Sequence, residues 1–206
     1  VAIKYSLRRA IMALGPTGFP FEKYVAQIFR NRGFTTLTGV MVKGGCVEHE
    51  IDVVAWNESK LIMTEAKFHN EDGVKSDVKV ALYVKARFDD LREQTYFYGH
   101  RRSVDEFWLI TNTKFTNMAI QYGLCQGLTM IGWNYPAKGN LREMIEDGNL
   151  HPITCLTSLT RGQMSQIISH GMVLCKELVG HHELLREIGL SEEATHNVMA
   201  EIAYFS

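Results

Sequence analysis

Two β-prone runs parted by four polar residues constrain this chain most: Ile51-Asp52-Val53-Val54-Ala55-Trp56, then Asn57-Glu58-Ser59-Lys60, then Leu61-Ile62-Met63-Thr64-Glu65-Ala66-Lys67-Phe68. β-Branched and apolar residues crowd both runs, the pattern of a β-hairpin with a polar turn. Side chains alternate along a strand, so Glu65 and Lys67 share one face while Thr64, Ala66 and Phe68 take the other. A symmetric reversal of two or four residues sets Asp52 opposite Glu65 on one face. An odd-length loop slips the register by one and sends the two carboxylates apart. Any chemistry here depends on loop parity.

Two carboxylates side by side repel each other, and both stay ionised cheaply only with a cation between them. Oxygen-only ligands favour Mg²⁺, which needs one or two protein carboxylates and keeps several waters. A bound metal lowers the pKa of its water and offsets charge in a phosphoryl transition state. Lys67 beside the acids could polarise the attacking water or stabilise the developing charge. The same residues also read as a solvated strand face with a cross-strand charge pair.

Asp52, twelve intervening residues and then Glu65-Ala66-Lys67 resemble the PD-(D/E)xK nuclease motif, with Ile51 in the proline's place. Gly15-Pro16-Thr17-Gly18-Phe19-Pro20-Phe21-Glu22-Lys23-Tyr24, Gly33-Phe34 and His49-Glu50-Ile51-Asp52-Val53 look like the Mrr-like restriction endonuclease domain. The similarity is closest to the version found downstream of an ATP-cone domain. It runs from about Ser6 to about Trp133 and includes Phe115-Thr116. The resemblance implies a restriction-endonuclease-like α/β fold and Mg²⁺-dependent cleavage of DNA, with Mn²⁺ able to substitute. It also implies metal ligation by Asp52, Glu65 and the Ala66 carbonyl, and a catalytic role for Lys67. In that family an acid on the first helix supports the metal, and Glu22 is the matching position.

The chain has 206 residues, enough for one α/β domain and a smaller appendage. Its formal charge is -1, so DNA affinity must come from local clustering rather than a global basic excess. Cys46, Cys125, Cys155 and Cys175 are widely spaced, with no C-x-x-C pair, and read as reduced thiols of a cytoplasmic protein. No apolar run reaches membrane-spanning length and no signal peptide is evident. The first residue is Val1, so a longer parent with an upstream ATP-cone is expected, by resemblance only. No G-x-x-x-x-G-K loop is present.

Residues 1–14 are expected to form an N-terminal helix and linker, 15–136 the nuclease-like core and 137–206 a helical region. A helix from Pro20 has its apolar face at Phe21, Tyr24, Val25, Ile28 and Phe29, with Glu22 at the border. As a first-turn acid, Glu22 also suits the helix dipole whatever else it does. Phe34–Val42 reads as a strand. A long helix is expected from Val74 to Tyr98, with Val78, Ala81, Val84, Phe88, Leu91 and Thr95 inward and Lys75, Lys79, Lys85, Arg87 and Arg92 outward. Lys75, Arg87 and Arg92, with Lys43, His49 and Thr116, are the candidates for nucleic-acid contact. His49 also suits a structural hydrogen bond, and Thr116 an ordinary helix cap. Two more strands, Phe107–Asn112 and Leu128–Trp133, flank a helix reaching about Gln126, which argues for a mixed central sheet with helices on both sides.

Beyond Pro152 the helical stretches cover roughly 161–179, 181–188 and 192–204, the last capped by Ser191. Ile167–Val173 faintly resembles a helix-hairpin-helix, while a packing or dimerisation appendage is the plainer reading. The expected activity is metal-dependent hydrolysis of DNA phosphodiesters by an endonuclease, with a homodimer needed to cut both strands. A DNA-binding or regulatory module on a nuclease scaffold, without useful turnover, is the alternative. A junction resolvase would share the chemistry and differ in substrate shape.

Overall fold

Asn57 builds the reversal between the two runs. Its Oδ1 accepts from the Ser59 and Lys60 amides, each at 2.9 Å, and its own N–H donates to the Lys60 carbonyl at 3.0 Å. The loop is therefore four residues long, and Val53 pairs with Thr64 and Trp56 with Leu61, the register that the even parity requires.

The structure is a computed structural model and describes residues 7–205. Along the chain come α1 (Leu7–Met12), α2 (Phe19–Asn31), β1 (Thr35–Lys43), β2 (Glu48–Trp56), β3 (Leu61–Lys67), β4 (Lys75–Ser76), α3 (Val78–Arg92), β5 (Tyr96–Tyr98) and β6 (His100–Arg102). There follow β7 (Glu106–Thr111), β8 (Lys114–Phe115), α4 (Asn117–Cys125), β9 (Thr129–Ile131), α5 (Leu141–Asp147), α6 (Arg161–Ser169), α7 (His182–Glu187) and α8 (Glu192–Tyr204). Part of the expected first helix, residues 3–6, lies outside the described residues.

The central sheet has five strands in the order β1-β2-β3-β7-β9. The first three are antiparallel, while β3–β7 and β7–β9 are parallel. Parallel neighbours need a crossover, and α3 and α4 supply the two. One face of the sheet, with Val53, Ala55, Ile62 and Ala66, packs on the apolar stripe of α2, Phe21-Tyr24-Val25-Ile28-Phe29. The opposite face, with Val54, Leu61, Met63 and Leu109, packs on Ala81, Val84, Phe88 and Leu91 of α3. The protein is thus a mixed α/β structure, with a five-stranded mixed sheet flanked by helices and a helical C-terminal region.

That last region has its own apolar cluster, including Ile153, Leu156, Ile167, Leu178, Leu185, Val198 and Ile202. Ala10 of α1 is buried in it, and the Thr154 hydroxyl donates to the Ala10 carbonyl at 2.5 Å. Leu141, Met144 and Ile145 of α5 pack with α2 instead, so the α/β core draws on residues beyond 136.

The helix expected over 74–98 is shorter at both ends. Asp77 caps α3 by accepting from the Lys79 amide at 3.0 Å, and Lys75–Ser76 before it pairs with β8 as a short strand. After Arg92 the aromatic run Tyr96-Phe97-Tyr98 turns at Gly99 (φ 75°) into a hairpin with β6, where β-propensity prevails over helical spacing. The stretch expected as one helix over 161–179 stops at Ser169, because Gly171 takes the left-handed conformation (φ 88°).

The Phe88 and Phe107 rings stack with centroids 4.3 Å apart and tie α3 to β7. Phe88→Ala is expected to lower the unfolding free energy by about 3–5 kcal/mol, read by urea denaturation.

Candidate active site

The ladder between β2 and β3 ends at the Val53–Thr64 pair. At that point the alternation of β2 breaks. Val53 and Ala55 face α2, yet Ile51 packs in the same cluster as Val54, against α3. On β1 the kink is matched by Gly39, which lies between the Thr38–Val53 and Val40–Ile51 pairs at φ 61°, a conformation that glycine adopts without strain. Asp52 sits at the bend. Its Oδ2 accepts the Ala66 amide N–H at 2.7 Å, satisfying a strand group that β2 has moved away from. The carboxylate is thus not a cross-strand neighbour stacked on Glu65, as a flat hairpin would have it. It is tied to the β3 backbone one residue further on.

Glu65 shares the alternation of Leu61 and Met63 and so faces α3. There its Oε2 accepts from Nη1 of Arg87, whose Nη2 donates to the Glu50 carbonyl. The two side chains are 16% and 11% exposed. The Tyr83 ring, one helical turn earlier, lies 5.3 Å from the same guanidinium. Glu22 approaches from α2. Phe21 beside it packs on Phe68 just past the end of β3, ring centroids 5.6 Å apart, which brings the start of the helix to the end of the strand. Lys67 stands exposed at that strand end. The chain then turns onto Asn112, which accepts the His69 N–H at 2.8 Å and donates to the His69 carbonyl at 2.7 Å.

The electrostatics follow from this crowding. Burial, and then the charges of Asp52, Glu50 and Glu65, push the Glu22 carboxyl up to about 7. Burial and the Asp52 charge raise Glu65 to about 7 as well, against the opposing pull of Arg87 and Lys67. Asp52 is raised by burial, partly offset by the Ala66 amide and by Arg87. Three acids are thus all reluctant to ionise together, and carboxylate oxygens are the donor type that a hard cation favours. Asp52, Glu65 and the Ala66 carbonyl would be its direct ligands and Glu22 an outer support. Among the described residues no trio of His, Cys, Asp and Glu side chains is already drawn tightly enough to hold an ion.

The other candidates fall elsewhere. His49 Nε2 lies 2.8 Å from Asp90 Oδ2, the structural use of this histidine. Asp90 also accepts the Cys46 and Val47 amides, at 2.7 and 3.2 Å, which clips the β1–β2 turn to α3. Those donated hydrogen bonds hold the Asp90 carboxyl well below the usual range. Thr116 caps α4, its hydroxyl accepting from the Ala119 amide at 3.2 Å. Lys43 and Lys75 are exposed, and Arg92 is half-exposed, 3.9 Å from Asp89. Two of the helix residues expected to point outward turn inward. Lys85 is buried against Asp89, with N–O distances of 2.5 and 2.6 Å, and Arg87 meets Glu65. Arg87 carries a signal in the sequence, since Val84, Arg87, Phe88 and Leu91 fall at i, i+3, i+4 and i+7. An arginine within an apolar stripe requires a buried partner.

This architecture defines a mixed α/β protein with an acidic site at the divergence of two strands, joined to a helical C-terminal region. Residues 151–204 match the AF1548-like, C-terminal family. An uncharacterised protein of Archaeoglobus fulgidus is 38% identical over 178 residues, 86% of this chain and 97% of the relative. The chain belongs to the AF1548-like family. The crystal structure of AF1548, a protein of unknown function, has a TM-score of 0.74 at 36% identity, covering 91% of this chain and 97% of that one. The MspJI restriction endonuclease in complex with a 27-mer oligonucleotide has a TM-score of 0.36 at 13% identity, covering 73% of this chain and 36% of that chain, too distant to bear on the site. Among the described residues no helix is long and apolar enough to cross a membrane.

The raised acids link stability to pH. Glu65 goes from an ordinary value of 4.5 to about 7, so the folded state holds its proton more tightly than the unfolded chain does. The stability this supplies is complete below pH 4.5 and is lost as pH rises through about 7. Glu65→Gln keeps the shape and never ionises, so its unfolding free energy relative to the wild type should increase between those two pH values. Urea denaturation of both proteins across that range is the check. A constant difference would contradict the crowding of like charges.

Proposed function

We propose that this protein is a metal-dependent DNA endonuclease of the PD-(D/E)xK type, akin to the Mrr-like enzymes. One observation carries the reading: Asp52, Glu65 and Glu22 are brought from a kinked strand, its neighbour and a helix into one acidic field beside an exposed lysine. The sequence motif, Asp52 and then Glu65-Ala66-Lys67, supports it as well, with Asp52 joined to the Ala66 backbone rather than set directly opposite Glu65.

Asp52 and Glu65, with the Ala66 carbonyl, would hold Mg²⁺, and Glu22 would support it through water. The ion would supply Lewis-acid activation of a water and charge neutralisation at the phosphate. Asp52 is preorganised for its part, because the Ala66 amide fixes one oxygen and leaves the other free to ligate. The Lys67 ammonium, at the same strand end, orients the attacking water or meets the charge developing on the phosphate oxygens. Glu22, held near neutrality, can share a proton with a water on the α2 side. The partner is DNA, and cutting both strands would need two copies of the chain, one site per strand. An upstream ATP-cone in a longer parent belongs to the same proposal.

Arg87 already neutralises Glu65, and this favours a second reading, a DNA-binding or regulatory module on the same scaffold without turnover. Cleavage assays on linear, methylated and branched DNA separate the two. Cutting should require Mg²⁺ or Mn²⁺ and stop with a chelator. Asp52→Ala, Glu65→Ala and Lys67→Ala should each lower the rate by about a hundredfold or more while the proteins stay folded by circular dichroism. Salt-sensitive DNA binding that ignores all three substitutions, with no cleaved strands, would establish the second reading.

A further inference from the structure

The geometry points to Arg87 as a resident cation of the acidic site, one that a divalent ion must displace from Glu65 and that then serves the substrate phosphate. This inference rests on the proposed function and assigns a role to a residue that the motif does not contain. Three contacts define the guanidinium. Nη1 donates to Glu65, Nη2 donates to the Glu50 carbonyl, and the Tyr83 ring lies 5.3 Å away. Its side chain is 11% exposed, within an otherwise apolar helix stripe. A guanidinium is not buried there for packing alone, since burial removes its hydration and must be offset by charge. Glu65 supplies that charge: Arg87 occupies its Oε2, and a fixed positive charge beside the carboxylate opposes a second cation on the same acid.

A divalent ion and Arg87 therefore compete for one carboxylate. When the ion wins, the guanidinium keeps the Glu50 carbonyl and the aromatic ring and loses only its anion. The next anion to arrive at such a site is the phosphate of a bound strand. A planar, five-donor fork suits a phosphate bidentately, which a lysine ammonium cannot do. Metal and substrate then reinforce each other. The metal frees the arginine for the phosphate, and the phosphate removes the metal's competitor. A second basic group, Lys67, is close enough to lower the pKa of both Asp52 and Glu65, yet it is exposed and does not occupy the carboxylate.

Titration calorimetry with Mn²⁺ alone, on protein without DNA, tests the competition. Arg87→Met keeps the apolar stem and removes the competitor, so Mn²⁺ should bind about tenfold more tightly than to the wild type, as expected for loss of one adjacent positive charge. The same variant should bind uncleavable phosphorothioate DNA in Ca²⁺ more weakly. Should Arg87→Met fold poorly, the wild type still decides the matter. Its Arg87 side-chain NMR signal, assigned by comparison with Arg87→Lys, should shift on saturation with Mg²⁺. Equal or weaker Mn²⁺ affinity in the variant, or an arginine signal unmoved by Mg²⁺ that does bind, would overturn the inference and leave the endonuclease reading intact. Absence of Mn²⁺ binding to wild type, Arg87→Met and Asp52→Asn alike would overturn both.

Discussion

A strand cannot leave its neighbour without stranding a backbone donor, and the Asp52–Ala66 hydrogen bond is how this protein meets that constraint. Where β2 bends away from β3, the carboxylate replaces the lost ladder partner of the Ala66 amide at 2.7 Å. The bend needs Gly39 at φ 61° on the adjoining strand, and it reverses which face Ile51 presents. Opening the sheet at this point creates room for polar chemistry at the edge of a core that is otherwise apolar on both sides. An acid fixed by a backbone amide has one committed oxygen and one uncommitted one. The requirement of the fold and the requirement of ligation are met by the same residue.

The charges around this opening do not balance by accident. Burial raises Glu22 and Glu65 to about 7, so the acids resist joint ionisation. Arg87 and Lys67 relieve part of that strain from the α3 side and from the strand end. Glu22, on α2, is pushed up by its burial and by the negative charges of Asp52, Glu50 and Glu65.

Much of this was legible in the residues. Four polar residues between two apolar runs fixed loop parity, and parity fixed register, because a period of two leaves no intermediate choice. The α2 stripe and the Ser191 cap of α8, accepting from the Ala194 amide at 3.1 Å, follow from spacing and capping chemistry that act within a few residues. What escaped was set by distant partners. The kink at Asp52 depends on Gly39 across the sheet, and nothing local to β2 signals it. In the sequence Arg87 looks like an outward base because the neighbouring acids of α3 suit a solvated face, whereas its partner Glu65 lies 22 residues earlier. His49 followed the commoner course, settling against Asp90 of a helix 41 residues away. The break at Gly171 was available in the sequence but was masked by the apolar residues around it.

The Asp90 clip has a mechanical consequence. Asp90 grips the β1–β2 turn through the Cys46 and Val47 amides and His49, while Arg87, three residues back on the same helix, holds the Glu50 carbonyl of β2 and the Glu65 carboxylate of β3. Three residues of α-helix span only about 4.5 Å and do not stretch. The turn and Glu65 are thus bolted to one stiff rod, and a load applied to the exposed turn is transmitted to that acid with little slack.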